Sequence, residues 1–237
     1  MEDKFFSPYG SYPCITYADG SVSEDMKLLS EEVKWELTVN GEHIDYILSS
    51  PHELETLAIG YCVTHEIAQT GQWLHAVHGD GTVSVSIEKE TTEDREAEGR
   101  PMSISAKRLC SYANLLDQLS AAHHTTHGIH EGALVQDGTV LAYAEDISRS
   151  HVLNRLAGEI YLHHIDASQT VLVFSGRVST FVVETAGILH IPCIAARAMA
   201  TSRAVSRAEE LGITLVCALR SESFCVFSHK ERLIEFL

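Results

Sequence analysis

The chain has 237 residues, enough for one large domain or two small ones with a real core, and its 45% apolar and 21% charged content is that of an ordinary globular protein. Its net charge of −16, with no basic run, excludes a general nucleic-acid binder, which needs a positive stripe to displace counterions. Any anionic ligand must be held by local cations against an unfavourable overall field.

The opening residues Met1 to Phe6 have neither a basic n-region nor an apolar h-region, and no apolar run is long enough to span a bilayer. A cytoplasmic protein with no membrane association is expected. Val33 to Leu48 reads as a hairpin: Val33, Trp35, Leu37 and Val39 alternate with polar residues, and Asn40-Gly41 supplies the two-residue turn. Ser50-Pro51-His52-Glu53 then reads as a capping box with proline at the first helical position, followed by Leu54, Leu57, Ala58 and Tyr61 on one helical face. Val83, Val85 and Ile87 alternate as a strand after the turn Gly79-Asp80-Gly81.

The polar stretch from Glu88 to Pro101 reads as an exposed linker, dividing an N-terminal hairpin-and-helix subdomain (1–100) from a C-terminal α/β domain (101–237). Leu109 to Leu119 has the pattern of a helix, and a second hairpin turns at Asp137-Gly138. The last third alternates most clearly. Strands are expected at Val171–Phe174, Ile191–Ala195 and Ile213–Leu219, with helices over Val178–Leu189 and Ser202–Leu211, the latter stopped by Gly212. This β-α-β-α-β order implies parallel strands with right-handed crossovers.

Ligands of open α/β sheets sit beyond the carboxyl ends of the strands. Arg177, Arg197 and Arg220 each follow one of these three strands, so they are expected to converge on one rim, where two helix N-termini also favour anions. Gly176 would let backbone approach a ligand closely, and Ser179, Thr201 and Ser202 offer hydroxyls or caps. Arginine grips phosphate in a bidentate way, which points to a phosphate-bearing ligand. The plainer alternative is that the arginines cap strand ends and pair with some of the 33 acidic residues.

His123, His127 and His130 would share a face of a helix, a spacing that could bind metal, but Gly128 interrupts the helix and no carboxylate or thiolate shell is near in sequence. A structural or solvated role is the expectation, with no metal. Zinc deaminase chemistry is rejected too: Glu131 directly adjoins His130, and Ala196 stands where a second thiolate would be needed after Cys193. The six cysteines form no C-x-x-C pair, and Cys193, Cys217 and Cys225 lie in apolar runs as expected core thiols.

Read in order, several segments resemble the FdhD/NarQ family. Glu36 to Gly41 is similar to its L-T-I-x-V-N-G, Ser50 to Tyr61 to T-P-x-D-L-x-E-L-A-x-G-F, and Thr126 to Leu134 to T-G-G-x-H-A-A-A-L. Glu145 to Arg149 resembles E-D-V-G-R, Ser175 to Ser179 matches S-G-R-x-S, Arg197 and Thr201 fall on the arginine and threonine of S-R-S-A-P-T, and Gly212 to Leu215 matches G-I-T-L. The resemblance implies an α/β fold with a cytidine-deaminase-like three-layer core and a smaller N-terminal α+β subdomain. It further implies a homodimeric accessory protein for formate dehydrogenase. Such a protein accepts sulfur from a cysteine desulfurase and passes it to the bis-guanine-dinucleotide molybdenum cofactor, which it binds as substrate. Cofactor-binding positions would be Arg177, Ser179, Arg197, Thr201 and the stretch Phe224, Cys225, Val226, Phe227, Ser228 and His229, which reads equally well as a final strand.

The chain departs from the family at its thiol centre. Family members carry C-x-x-C before a helix; here Cys110 stands with either Ala113 or Lys107 in the place of the other cysteine. Cys110 is the candidate catalytic thiol, with Lys107, Arg108 and a helix start at Cys110 expected to lower its pKa. His127 stands for a glycine, Ser148, Ser150 and His151 for G, H and N, Phe181 for a glutamate, and Ala200 for a proline. Two readings follow: a sulfurtransferase acting through Cys110, or a cofactor-binding chaperone that has lost sulfur transfer.

Overall fold

The computed structural model describes residues 9–68, 72–89, 102–120 and 125–236. The chain opens with a two-stranded antiparallel ribbon, β1 (Tyr9–Ala18) and β2 (Ser21–Ser30). A four-stranded sheet follows, ordered β4-β3-β6-β5, from β3 (Val33–Val39), β4 (Glu42–Ser49), β5 (Gln72–Gly79) and β6 (Thr82–Lys89). Its Asn40-Gly41 turn has both residues at positive φ, 50° and 83°, as the expected tight hairpin requires. The stretch 90–101, where the linker was expected, lies outside the described residues.

The inner face of this sheet packs Trp35, Leu37, Ile47, Leu74 and Val83 against α1 (Leu54–Thr64). The expected capping box does not form. Glu53 is the N-cap, in the left-handed conformation at φ 45°, and no side chain caps the helix. The carbonyls of Ser50, His52 and Glu53 are instead drawn to a buried arginine, described below.

The second sheet has six strands in the order β12-β11-β10-β9-β7-β8. Its strands are β7 (His130–Gln136), β8 (Thr139–Asp146), β9 (Val171–Phe174), β10 (Cys193–Ala196), β11 (Thr214–Cys217) and β12 (Cys225–Ser228). β9, β10 and β11 are parallel, as the alternation of the last third predicts, while β12 returns antiparallel as the edge strand. One face carries α4 (Arg149–His163), α5 (Thr180–Ile188) and α6 (Ser202–Glu210), packed over Leu134, Phe174, Ile194 and Leu215. The other face, with Ala133, Val173, Ala195 and Val216, is covered by two short helices, α2 (Ala106–Ser111) and α3 (Leu115–Leu119). The result is a three-layer α/β/α core with the α+β sheet attached. The single helix expected over Leu109–Leu119 is broken, because tight turns at Tyr112 and Ala113 close back on Leu109 and Cys110.

The two sheets meet through α1 and α4, which cross where both lack side chains. A Cβ on Gly60 would lie 1.6 Å from the Asn154 carbonyl oxygen, and one on Gly158 would lie 2.1 Å from that of Thr56. Glycine at both positions lets the helix backbones touch.

Beside this crossing is a fully buried ion pair. Arg155 donates Nε and Nη2 to Asp146 Oδ2 at 3.0 and 2.8 Å, Nη1 to the carbonyls of His52 and Glu53, and Nη2 to that of Ser50. Every guanidinium N–H is used, which is what a charge removed from water needs. Burial alone would raise the Asp146 pKa, but His151, Arg155 and the Ser148 N–H outweigh it and hold the carboxyl below its ordinary value.

Candidate functional site

The carboxyl edge of the parallel strands carries two hollows rather than one rim. The first, of about 570 Å³, is lined by His130 of β7, Ile147 to Ser150 at the β8–α4 junction, Arg177, Ser179, Phe181 and Val182 at the start of α5, and Thr201 before α6. A short bridge between Val178 and Ala200 ties the last two loops together beyond the strand ends. Three helix N-termini therefore meet here. Thr201 caps α6 by accepting from the Ala204 N–H at 3.3 Å. Ser148 and Ser179 are the N-caps of α4 and α5, but neither hydroxyl caps a backbone N–H of its helix. Ser148 Oγ instead bonds Ser150 Oγ at 2.9 Å. The first-turn N–H groups of α4 and α5 thus lack a side-chain cap, and both helix dipoles present their positive ends to the hollow.

Two cations complete it. Arg149 and Arg177 make no hydrogen bond or ion pair with any described residue. The aliphatic stem of Arg149 lies over Gly176, where an added Cβ would come within 2.7 Å of Arg149 Cδ. Gly176 therefore makes room for the neighbouring arginine.

Arg197 and Arg220 do not join Arg177. They line a second hollow of about 340 Å³ with Ala113, Asn114, Ser175, Ala198, Leu219 and Ser221. The strand pleat explains the division: Ala196 faces the α4–α6 layer, so the next residue turns to the opposite face of the sheet. There Arg197 pairs with Asp117 of α3 at 2.6 Å. Arg220 folds back, its Nη1 donating to the carbonyls of Arg197 and Leu219 at 2.8 and 2.7 Å. These two thus make the strand-end and carboxylate contacts of the plainer reading.

The stretch Phe224 to His229 sits at the edge of the sheet. Phe224 and Val226 pack into the core face under α2, Cys225 and Phe227 are exposed, and Ser228 is buried between the Ile213 carbonyl and the Leu215 N–H. The His229 ring bonds the Glu209 carbonyl and Glu231 Oε1, which together raise its pKa. None of the six lines either hollow.

Cys110 is partly buried in the last turn of α2, not at its start. The helix begins after Ser105, whose hydroxyl accepts from the Arg108 N–H at 3.2 Å, so Cys110 meets the negative end of the dipole. Arg108 is spent on Asp137. Burial and the Glu222 carboxylate push the Cys110 thiol up, where lowering was expected. Burial pushes Cys62 and Cys193 to about 12 and Cys217 to about 11, so these are inert core thiols. Cys225 was expected in the core and is exposed.

The histidine cluster is not a helical face. His130 begins β7, and His127 takes φ 54°, the left-handed conformation that fits the glycine of the family motif. His123 and His124 lie outside the described residues, among which no three His, Cys, Asp or Glu side chains gather as metal ligands. Also among the described residues, no helix is long and apolar enough to cross a membrane.

Sequence reasoning passed over Arg149, His130, Ser150 and Phe181 as lining residues. The signal was present: Arg149 ends the E-D-V-G-R-like motif, and Ser148, Ser150 and Phe181 are among the departures from the family pattern.

Comparisons with known proteins agree with this fold. The sequence profile of the FdhD/NarQ family matches residues 79–234. The chain is 27% identical, over 94% of its length and 96% of theirs, to proteins named sulfur carrier protein FdhD from Staphylococcus aureus strains MRSA252 and JH9. A crystal structure described as that of a formate dehydrogenase accessory protein from Desulfotalea psychrophila superposes with a TM-score of 0.83, at 20% identity, over 96% of this chain and 100% of that one.

Proposed function

Because the chain belongs to the FdhD/NarQ family, we propose that it is an accessory protein of formate dehydrogenase whose first hollow grips the phosphates of the bis-guanine-dinucleotide molybdenum cofactor, its substrate. The observation that carries this reading is the pair Arg149 and Arg177, without partners among the described residues, facing two helix starts that lack side-chain caps. In a chain of net charge −16, carboxylates are plentiful. Two adjacent guanidiniums left without one form a site suited to a diphosphate, which takes bidentate arginine contacts and backbone N–H groups together. The Phe181 ring on the wall offers a stacking face for a base.

Sulfur carriage, the activity in the names of the relatives, falls to Cys110. Its thiolate attacks the outer sulfur of the desulfurase persulfide. A new S–S bond forms on Cys110, the donor's S–S bond breaks, and the donor cysteine leaves as thiolate. The raised pKa of Cys110 keeps this step slow at neutral pH and faster as pH rises. That observation, with Ala113 and Lys107 where a second cysteine would stand, favours a second reading: a binding chaperone without sulfur transfer.

Two experiments test these readings. Calorimetry with GDP should show binding weakened about 10- to 100-fold by Arg149→Ala or Arg177→Ala, the loss of one charged hydrogen-bonding partner, while Arg197→Ala has a far smaller effect. Equal affinity in all variants would remove the hollow as a ligand site. Mass spectrometry after incubation with a desulfurase and cysteine should find one added sulfur on Cys110 if it carries sulfur, and none if the chain is a chaperone only.

A further inference from the structure

Two thiols outside both hollows face each other at the end of the six-stranded sheet. Cys217 closes β11, Cys225 opens β12, and the antiparallel register sets them directly opposite. Val216 and Val226, the neighbouring pair, both turn to the α2 layer, so the alternation of a strand puts Cys217 and Cys225 together on the other face. Cys217 is fully buried there, whereas Cys225, on the edge strand, is exposed, and both are free thiols. None of the other four cysteines is placed in this way. Cys14 stands opposite Asp25, Cys193 between Val171 and Thr214, and Cys62 and Cys110 lie on helices.

Directly opposite residues of an antiparallel pair have Cα atoms about 4.5–5.5 Å apart, inside the ~4.4–6.8 Å that a disulfide spans. Their Cβ atoms, about 4.5–5.5 Å apart, must draw in to the ~3.5–4.5 Å of the bonded pair. An edge strand, hydrogen-bonded on one side only, can make that small shift. The buried thiol also has a contact to give up. Burial pushes Cys217 to about 11, the Ala200 N–H directed at its sulfur offsets part of the rise, and the neighbouring Cys225 thiol adds to it. Ala200 lies in the loop between β10 and α6, where it bridges Val178, and the next residue, Thr201, caps α6 and lines the first hollow.

We propose that Cys217 and Cys225 close reversibly to a disulfide, with a low-molecular-weight disulfide such as oxidised glutathione as the oxidant, and that closure takes the Cys217 sulfur from the Ala200 N–H and loosens the loop that carries Thr201. Exposure sets the order of events. Burial shields Cys217 from reagents in solution, so Cys225 reacts first. Its thiolate attacks one sulfur of the oxidant. That S–S bond breaks, one glutathione leaves as thiolate, and the other stays bonded to Cys225. Cys217 then loses its proton to water and attacks the Cys225 sulfur, and the second glutathione leaves as thiolate. Two protein thiols are oxidised and one disulfide is reduced to two thiols. Cys217, inert towards solution, reacts in this step because its target is held beside it. Excess thiol runs the sequence backwards.

Peptide mapping and amide exchange of the full chain, before and after incubation with oxidised glutathione, test this. Tryptic cleavage after Arg220 separates the two cysteines, so the bonded pair should survive digestion as joined peptides that dithiothreitol parts. Cys217→Ala should instead retain glutathione on Cys225, with no thiol opposite to displace it. Cys225→Ser, a change on the exposed edge that spares the core, should form no bond and take up no glutathione at Cys217. By NMR, the Ala200 N–H should exchange roughly fivefold faster in the oxidised parent than in the reduced one, the loss of one hydrogen bond, and oxidant should leave its rate unchanged in Cys225→Ser. A parent that keeps glutathione on Cys225 without joining the peptides, a bond from Cys225 to a different cysteine, or Ala200 exchange that oxidation does not alter would each overturn the proposal.

Discussion

Two arginines six residues apart on α4 live under opposite rules. Arg155 is fully buried, and every N–H of its guanidinium is bonded, to Asp146 and to three carbonyls at the start of α1. Arg149, at the helix start, bonds no described residue and faces a hollow beside Arg177. The first arrangement is complete: it fastens β8, α4 and the approach to α1 into one rigid base. The second is open and is held in place by the first, because the Ser148 N–H bonds Asp146 Oδ1 at 3.0 Å and so anchors the loop that carries Arg149. A buried charge must be satisfied by the fold itself, whereas a charge at a strand-end rim can wait for a ligand.

The contrast breaks most visibly in the base. Arg155→Ala should cost about 3–5 kcal/mol of stability, as for other buried pairs that lose one partner, measured by urea unfolding, since it strands Asp146 and three carbonyls. Gly158→Ala should follow at about 1–3 kcal/mol or more, the range for overpacking, because its Cβ would strike the backbone of Thr56 and force α1 and α4 apart. At the rim the order inverts. Arg149→Ala and Arg177→Ala should leave unfolding within about 0.5 kcal/mol of the parent, as is usual for surface sites, while weakening GDP as described above.

The smallest effect is a pH dependence at the base. Burial, and then the Arg155 charge, hold the His52 pKa below its ordinary 6.5. The unfolded chain therefore binds the proton first, and stability should decline as pH falls from about 6.5 towards the folded value. His52→Gln should lessen that decline, seen as denaturation midpoints that drop less just below neutrality. His229, whose pKa is raised, works in the opposite sense, its stabilisation fading as pH rises through its folded value.

Much of this was legible in the sequence. Asn40-Gly41 and Asp137-Gly138 marked their hairpins, and the apolar runs from Val171 onward gave the parallel strands, because turn chemistry and continuous burial are local signals. The arginine rim was half legible. That Arg177, Arg197 and Arg220 follow successive strands was readable, but which face each turns to depends on the pleat at a single residue, and that sent Arg197 to Asp117. The buried Arg155 was not legible at all. Its partners Ser50, His52 and Glu53 lie about a hundred residues away, where the same residues spelled a capping box. The helix start at Ser105 was hidden as well, and with it the direction of the Cys110 shift, since that turned on a five-residue offset.

A crystal of the full chain grown with GDP tests the central claim most directly. The diphosphate should lie between the guanidiniums of Arg149 and Arg177, within hydrogen-bonding distance of the first-turn N–H groups of α4 or α5. A diphosphate seated between Arg197 and Arg220, or a first hollow that stays empty at saturating GDP, would contradict it.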